Sequence, residues 1–105
     1  MPQLVLALTT FPDSKSAEKF AQSSLKAGLA ACVSIVPGVT SIYRWKGKIE
    51  KGSELLLIMK TSKGKVKALE EAVKKGHPYE LPEFLSVPAE GSGEYMAWIG
   101  KETRR

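Results

Sequence analysis

Residues 30–61 read AACVSIVPGVTSIYRWKGKIEKGSELLLIMKT, and the way they pair with one another decides the fold. From Ala30 to Trp45 most side chains are β-branched or aromatic, a composition that fits a pleated, half-buried surface. Pro37-Gly38 falls inside that stretch and reads as a bulge or bend in one long strand rather than as its end. Beyond it, alternation sets Val39, Ser41, Tyr43 and Trp45 on one face and Thr40, Ile42 and Arg44 on the other. A turn rich in Lys and Gly, KGKIEKGSE, leads into LLLIMKT, so the two strands make a long hairpin.

The flanks complete the pattern. QLVLALTTF, residues 3–11, is a short apolar run suited to a buried strand, and Pro12-Asp13 punctuates it. DSKSAEKFAQSSLKAG then puts Ala17, Phe20, Ala21, Ser24 and Leu25 on one helical face, with Asp13 as N-cap and Gly28 as a left-handed stop. After the hairpin, KGKVKALEEAVKKG repeats this logic through Val66, Leu69 and Val73, with Gly76 as the stop and Pro78 just beyond. FLSVP, residues 84–88, predicts a fourth strand. SGEYMAWIG predicts a last helix capped by Ser92, too short to stand unless Tyr95, Trp98 and Ile99 dock on something. The order is that of an α+β, ferredoxin-like split βαβ sandwich with a long β-hairpin and an added C-terminal helix, spanning 1–105 as a single domain.

Two helices cover one face of such a sheet. Leu55 to Met59 are apolar without alternation, so the helix-free face also carries large apolar side chains that the chain itself leaves uncovered. The long hairpin arms project past the helices with unpaired edges. Both features predict a homo-oligomer of closed symmetry.

Composition narrows the function. Sixteen Lys and Arg against eleven Asp and Glu give a net charge of +5, but the lysines are scattered and no run interleaves arginines with aromatics, so no nucleic acid is expected as partner. The longest strongly apolar run has five residues and Met1 is followed by Pro2, so neither a membrane span nor an export signal is read, and a cytoplasmic location is expected. Cys32, the one cysteine, reads as an inert core thiol. With no cysteine pair at zinc spacing, no phosphate loop and a single histidine, the chain is not read as an enzyme; Glu83 is the one carboxylate worth testing as a base.

Three polar features remain. In YRWKGK, Tyr43, Arg44, Trp45 and Lys46 line a ligand pocket or anchor a subunit interface. Lys60 closes an apolar strand, binding an anion or marking the solvent boundary. In GHPYELPE, residues 76–83, His77 is followed by Tyr79, Glu80 and Glu83, which read as a metal or ligand surface or as a stiff turn fixed by Pro78 and Pro82.

TTFPD, LAACVSIVPGVTSIYRWKGKIE, ELLLIMKT, HPYELPE and GEYMAWI, in unbroken order along the chain, together resemble the CutA family, the divalent-cation tolerance proteins. The resemblance implies a homotrimer assembled through the hairpins, similar to nitrogen-regulatory signalling trimers, and a link to copper and other divalent cations, with no obligatory cofactor. Copper ligation in that family is attached to a cysteine in the first strand and to two adjacent histidines before Pro-Tyr; here Thr9, Gly76 and His77 occupy those places. The family pocket carries over through Tyr43, Trp45, Lys60, Tyr79, Glu83 and Trp98, pointing to a cleft between subunits. The leading expectation is a trimer that binds or senses a divalent metal such as Cu(II) through His77 with Glu80 and Glu83. The alternative is a signalling or adaptor trimer holding a small anionic metabolite through Lys60 and Arg44.

Overall fold

The structure, a computed structural model, describes residues 3–103; Met1 and Pro2, which entered the reading of the N-terminus, lie outside them. The hairpin is even longer than its composition predicts. β2 runs Cys32–Trp45 and β3 runs Lys48–Ser62, so Lys48 to Glu54, expected in the turn, belong to the strand. The connection is only Lys46 and Gly47, whose φ values of 50 and 80° are both positive. That is the geometry of a two-residue type I′ turn, whose twist matches the flanking strands and so lets the ladder begin at once with Trp45 opposite Lys48. The expected bulge is present: the register shifts between Val36 and Val39, across Pro37-Gly38.

β1 (Leu4–Phe11) lies between β3 and the short edge strand β4 (Leu85–Ala89), giving the all-antiparallel order β2-β3-β1-β4. α1 (Ser14–Lys26) begins as predicted, with Asp13 accepting the Ser16 N–H at 2.8 Å. Its buried face ends at Ser24, and Leu25, expected inside, is 41% exposed. A short 3₁₀ turn, Lys63–Lys65, leads into α2 (Val66–Gly76). Gly76 is not the left-handed stop the sequence implies. It is the last helical residue, and the helix stops because His77 is extended, at φ −94 and ψ 138°, as a residue preceding proline prefers.

Ala7, Phe11, Leu57 and Met59 of the sheet pack against Phe20 of α1 and Leu69 and Val73 of α2 in one core. The opposite face carries Leu6 beside Val87, Leu8 beside both Ile58 and Leu85, and Val36 beside Leu56. α3 (Gly93–Glu102) covers one end of that face: Thr103, just past it, shares a 2.6 Å hydrogen bond with Ser62, and Tyr95 lies against Cys32. Val36, Leu85 and Val87 remain 40, 55 and 46% exposed. The hairpin extends the molecule to 44 × 24 × 22 Å, with a radius of gyration of 14.2 Å against about 13 Å expected for this length.

Candidate functional site

A cavity of about 640 Å³ opens between the hairpin and residues 78–83. The hairpin contributes Ser41, Ile42, Tyr43, Trp45 and Glu54, β1 contributes Thr10, and the segment after α2 contributes Pro78, Tyr79, Glu80, Leu81 and Glu83. Val39 pairs with Glu54, Ser41 with Gly52 and Tyr43 with Glu50, so Ser41, Tyr43 and Trp45 lie on the Glu54 face of the ladder.

Glu54 is the residue that the sequence does not disclose. It is only 9% exposed, and its carboxylate accepts a hydrogen bond from Tyr79 Oη at 2.8 Å. Burial pushes its acidity down, but hydroxyls of Ser41, Tyr79 and Thr10 outweigh that and hold its pKa below the ordinary carboxylate value. Glu54 is therefore ionised at neutral pH. Tyr79 shows the complementary effect: burial and then the neighbouring Glu54 charge push its phenol well above its usual range. Tyr79→Phe removes one donor from a buried anion and should cost about 1.5–3 kcal/mol at neutral pH. Because a carboxylate with a depressed folded pKa loses its contribution as pH falls through that value, the gap between wild type and variant should close in acid. Urea unfolding at neutral and acid pH measures it.

His77 stands behind the cavity wall. Its ring stacks on Phe11 at 4.3 Å between centroids and meets Tyr79 at 4.7 Å. Nε2 faces the Thr10 carbonyl, which can only accept, so Nε2 carries the proton and Nδ1 accepts the Tyr79 N–H at 3.1 Å. Both ring nitrogens are thus engaged. Thr9 is fully buried and donates to the Glu83 carbonyl at 2.7 Å. Glu80 pairs with Lys46 at 3.9 Å at the exposed rim, and Lys46 Nζ lies 5.6 Å from the Trp45 ring centroid. Among the described residues, no three His, Cys, Asp or Glu side chains converge as a metal cluster.

Of the predicted residues, the cavity gathers Tyr43, Trp45, Tyr79, Glu80 and Glu83. Lys60 lies six residues along β3 from Glu54, about 20 Å away at strand rise. Its Nζ donates to Ser34 Oγ at 2.5 Å and sits 3.7 Å from Cys32 Sγ. Trp98 stands on α3 against Tyr95, 5.7 Å between ring centroids. Arg44 points to the other side of β2 from Tyr43 and Trp45, as alternation requires. Within one chain, then, the predicted pocket is divided in two.

Residues 5–102 match the family model for the CutA1 divalent ion tolerance protein. The chain belongs to the CutA family. It is 44% identical over 99 residues to a divalent-cation tolerance protein CutA of Thermus thermophilus, covering 93% of this chain and 96% of that one. It is 45% identical over 98 residues to a CutA homolog of Xenopus laevis, covering 92% of this chain. It spans 65% of the length of that relative and 55% of the mouse protein CutA. In three dimensions it superposes on CutA1 from Oryza sativa with a TM-score of 0.93 at 38% identity, covering 98% of this chain and 95% of that chain. The predicted ferredoxin-like architecture with its added helix is thereby shown. No helix among the described residues is long and apolar enough to cross a membrane.

Proposed function

We propose that this chain acts in divalent-cation tolerance as a homotrimeric cation-binding protein of the cytoplasm, taking up or sensing Cu(II) or another divalent cation beneath the hairpin without catalysing a reaction. The observation that carries this reading is the acidic lining: Glu54, Glu80 and Glu83 face one cavity, and Glu54 is held ionised inside it. Trimer formation is supported by the half-bare apolar sheet face and by Ile42 and Ile49, each 67% exposed near the hairpin tip.

The donor set bears on which metal fits. Carboxylate oxygens suit hard cations, and imidazole suits copper, but His77 would have to release one of its two hydrogen bonds to ligate. The three carboxylates do not converge within one chain, so a compact site would draw donors from water or a neighbouring copy. An anionic metabolite is the weaker reading, since Arg44 and Lys60 stand apart and carboxylates line the cavity.

Calorimetric titration with Cu(II) and Mn(II) tests the proposal. Glu54→Gln should weaken binding about tenfold or more, and binding should fade as acid protonates Glu54. Unchanged affinity in His77→Ala would remove the imidazole from the site, and unchanged affinity in both variants overturns the cavity as the metal site. A monomeric mass by light scattering at micromolar concentration overturns the trimer.

A further inference from the structure

We propose that the outer face of α1 is a binding site for an extended polyphosphate chain, with Lys15, Lys19 and Lys26 meeting its charges and Gln22 and Ser23 donating hydrogen bonds to its oxygens. The site shares no residue with the cavity beneath the hairpin and does not depend on it.

Helix geometry is the first argument. The lysines look scattered in sequence, but at about 100° per residue Lys15, Lys19 and Lys26 fall within about 40° of one another, with Gln22 in the same stripe and Ser23 at its margin. The stripe runs about 16 Å along the helix and points away from the buried face of Ala17, Phe20, Ala21 and Ser24. All five of its side chains are exposed. A depression of about 480 Å³ lies along it, lined by Lys19, Gln22, Ser23, Lys26 and Ala27. Every polar side chain of that lining is a donor, and none is an acid.

Charge balance within the helix is the second. α2 neutralises its own lysines: Glu70 pairs with Lys74 at 3.3 Å, and Glu71 stands one turn from both Lys67 and Lys75. α1 does not. Lys15 and Lys19 are like charges four residues apart, which destabilises a helix, and Lys15 occupies a first turn where the dipole favours an acid. The N-cap Asp13 is near Lys15, but its carboxyl is engaged chiefly by Ser16. Glu18, the one acid of α1, stands about 60° or more round the helix from each lysine. Lys19 and Lys26 make no ion pair among the described residues. Lys26 suits the dipole of the last turn, whereas the places of Lys15 and Lys19 cost helix stability and gain nothing within the chain.

The third is location. The proposed trimer closes through the hairpin and the helix-free face of the sheet, while α1 packs on the other face through Phe20 and turns its lysines outward. The stripe therefore stays open to solvent in the assembly.

Chemistry selects the occupant. Lysine ammoniums meet phosphate oxygens as point charges, and α1 has no arginine to fork onto a carboxylate. No aromatic side chain stands on the stripe, so nucleic-acid bases have nothing to stack on. A linear chain of phosphates can follow all three cations, which a single orthophosphate cannot.

Calorimetry of the full chain in metal-free, low-salt buffer, with linear polyphosphate, polyglutamate, oligouridylate and orthophosphate as titrants, tests the site. Polyphosphate should bind most tightly and fade as salt is added. Lys15→Gln, Lys19→Gln and Lys26→Gln together should weaken it about 30-fold or more. Lys67→Gln, Lys74→Gln and Lys75→Gln together remove the same charge from α2 and should weaken it less than about threefold. Far-UV circular dichroism checks the fold, and Lys19→Glu alone, expected to cost about tenfold, serves if the triple variant does not fold. Equal losses in the two triple variants overturn the inference, because net charge alone then explains binding. Polyglutamate, oligouridylate or orthophosphate binding as tightly as polyphosphate also overturns it, as does absence of polyphosphate binding.

Discussion

Phe11→Ala should lower the unfolding free energy by about 3–5 kcal/mol, the range for removing a fully buried phenylalanine. Phe11 ends β1 with no exposed surface, and its ring sits 5.4 Å from Phe20 of α1 and 4.3 Å from His77. Loss of the ring opens a void bounded by a helix, the sheet and the post-helix segment, and three separate elements cannot all collapse into it. The damage also reaches the cavity, because His77 loses the surface that holds its ring against the Thr10 carbonyl and the Tyr79 N–H. Urea unfolding at one fixed protein concentration is the measurement, since assembly into the proposed trimer would make apparent stability concentration-dependent. A loss below about 1 kcal/mol would contradict the packing described.

Val87→Asp should convert the proposed trimer to a folded monomer. Val87 lies on β4 at the sheet edge, opposite Leu6, on the face that α1 and α2 leave bare, and nearly half of its surface is open within its own chain. A carboxylate there remains hydrated in the isolated subunit, so the fold should survive and far-UV circular dichroism should be unchanged. In a trimer sealed through this face the same carboxylate is buried without a partner, at a cost of several kcal/mol in each copy. Light scattering reads the outcome directly. A trimeric mass for a folded Val87→Asp protein would show that the assembly uses another surface.

Much of the fold is legible in the sequence because it depends on periodicity. The 3.6-residue spacing of Ala17, Phe20 and Ala21, the alternation after Pro37-Gly38, and the unbroken apolar run of β3 each specify an element locally. What escapes the sequence is set by pairing. The turn at Lys46-Gly47 looks like nine loop residues until the ladder claims Lys48 to Glu54. α2 ends because Pro78 biases His77, a neighbour effect that the glycine at 76 masks.

The site divides along the same line. Tyr43, Trp45, Tyr79, Glu80 and Glu83 come together because two rigid segments meet. Glu54 stays hidden because its partners stand at positions 10, 41 and 79, and nothing local in GSELLL marks the carboxylate as buried. Its one sequence signal is position: it directly precedes the apolar run, on the side of β3 that Leu56 and Ile58 also occupy. Arg44 and Lys60 look like a cationic pair by residue type, but strand alternation and strand rise keep them apart.

The segment from His77 to Glu83 is fastened to the sheet at three points. His77 bonds the Thr10 carbonyl, Tyr79 bonds Glu54, and the Glu83 carbonyl takes the Thr9 hydroxyl, while Pro78 and Pro82 restrict the backbone between. A wall tied down this way loses its conformational entropy when the chain folds, not when a ligand arrives. A ligand of the proposed cavity would then bind close to lock-and-key, its affinity set by its own desolvation and fit rather than by the ordering of its host.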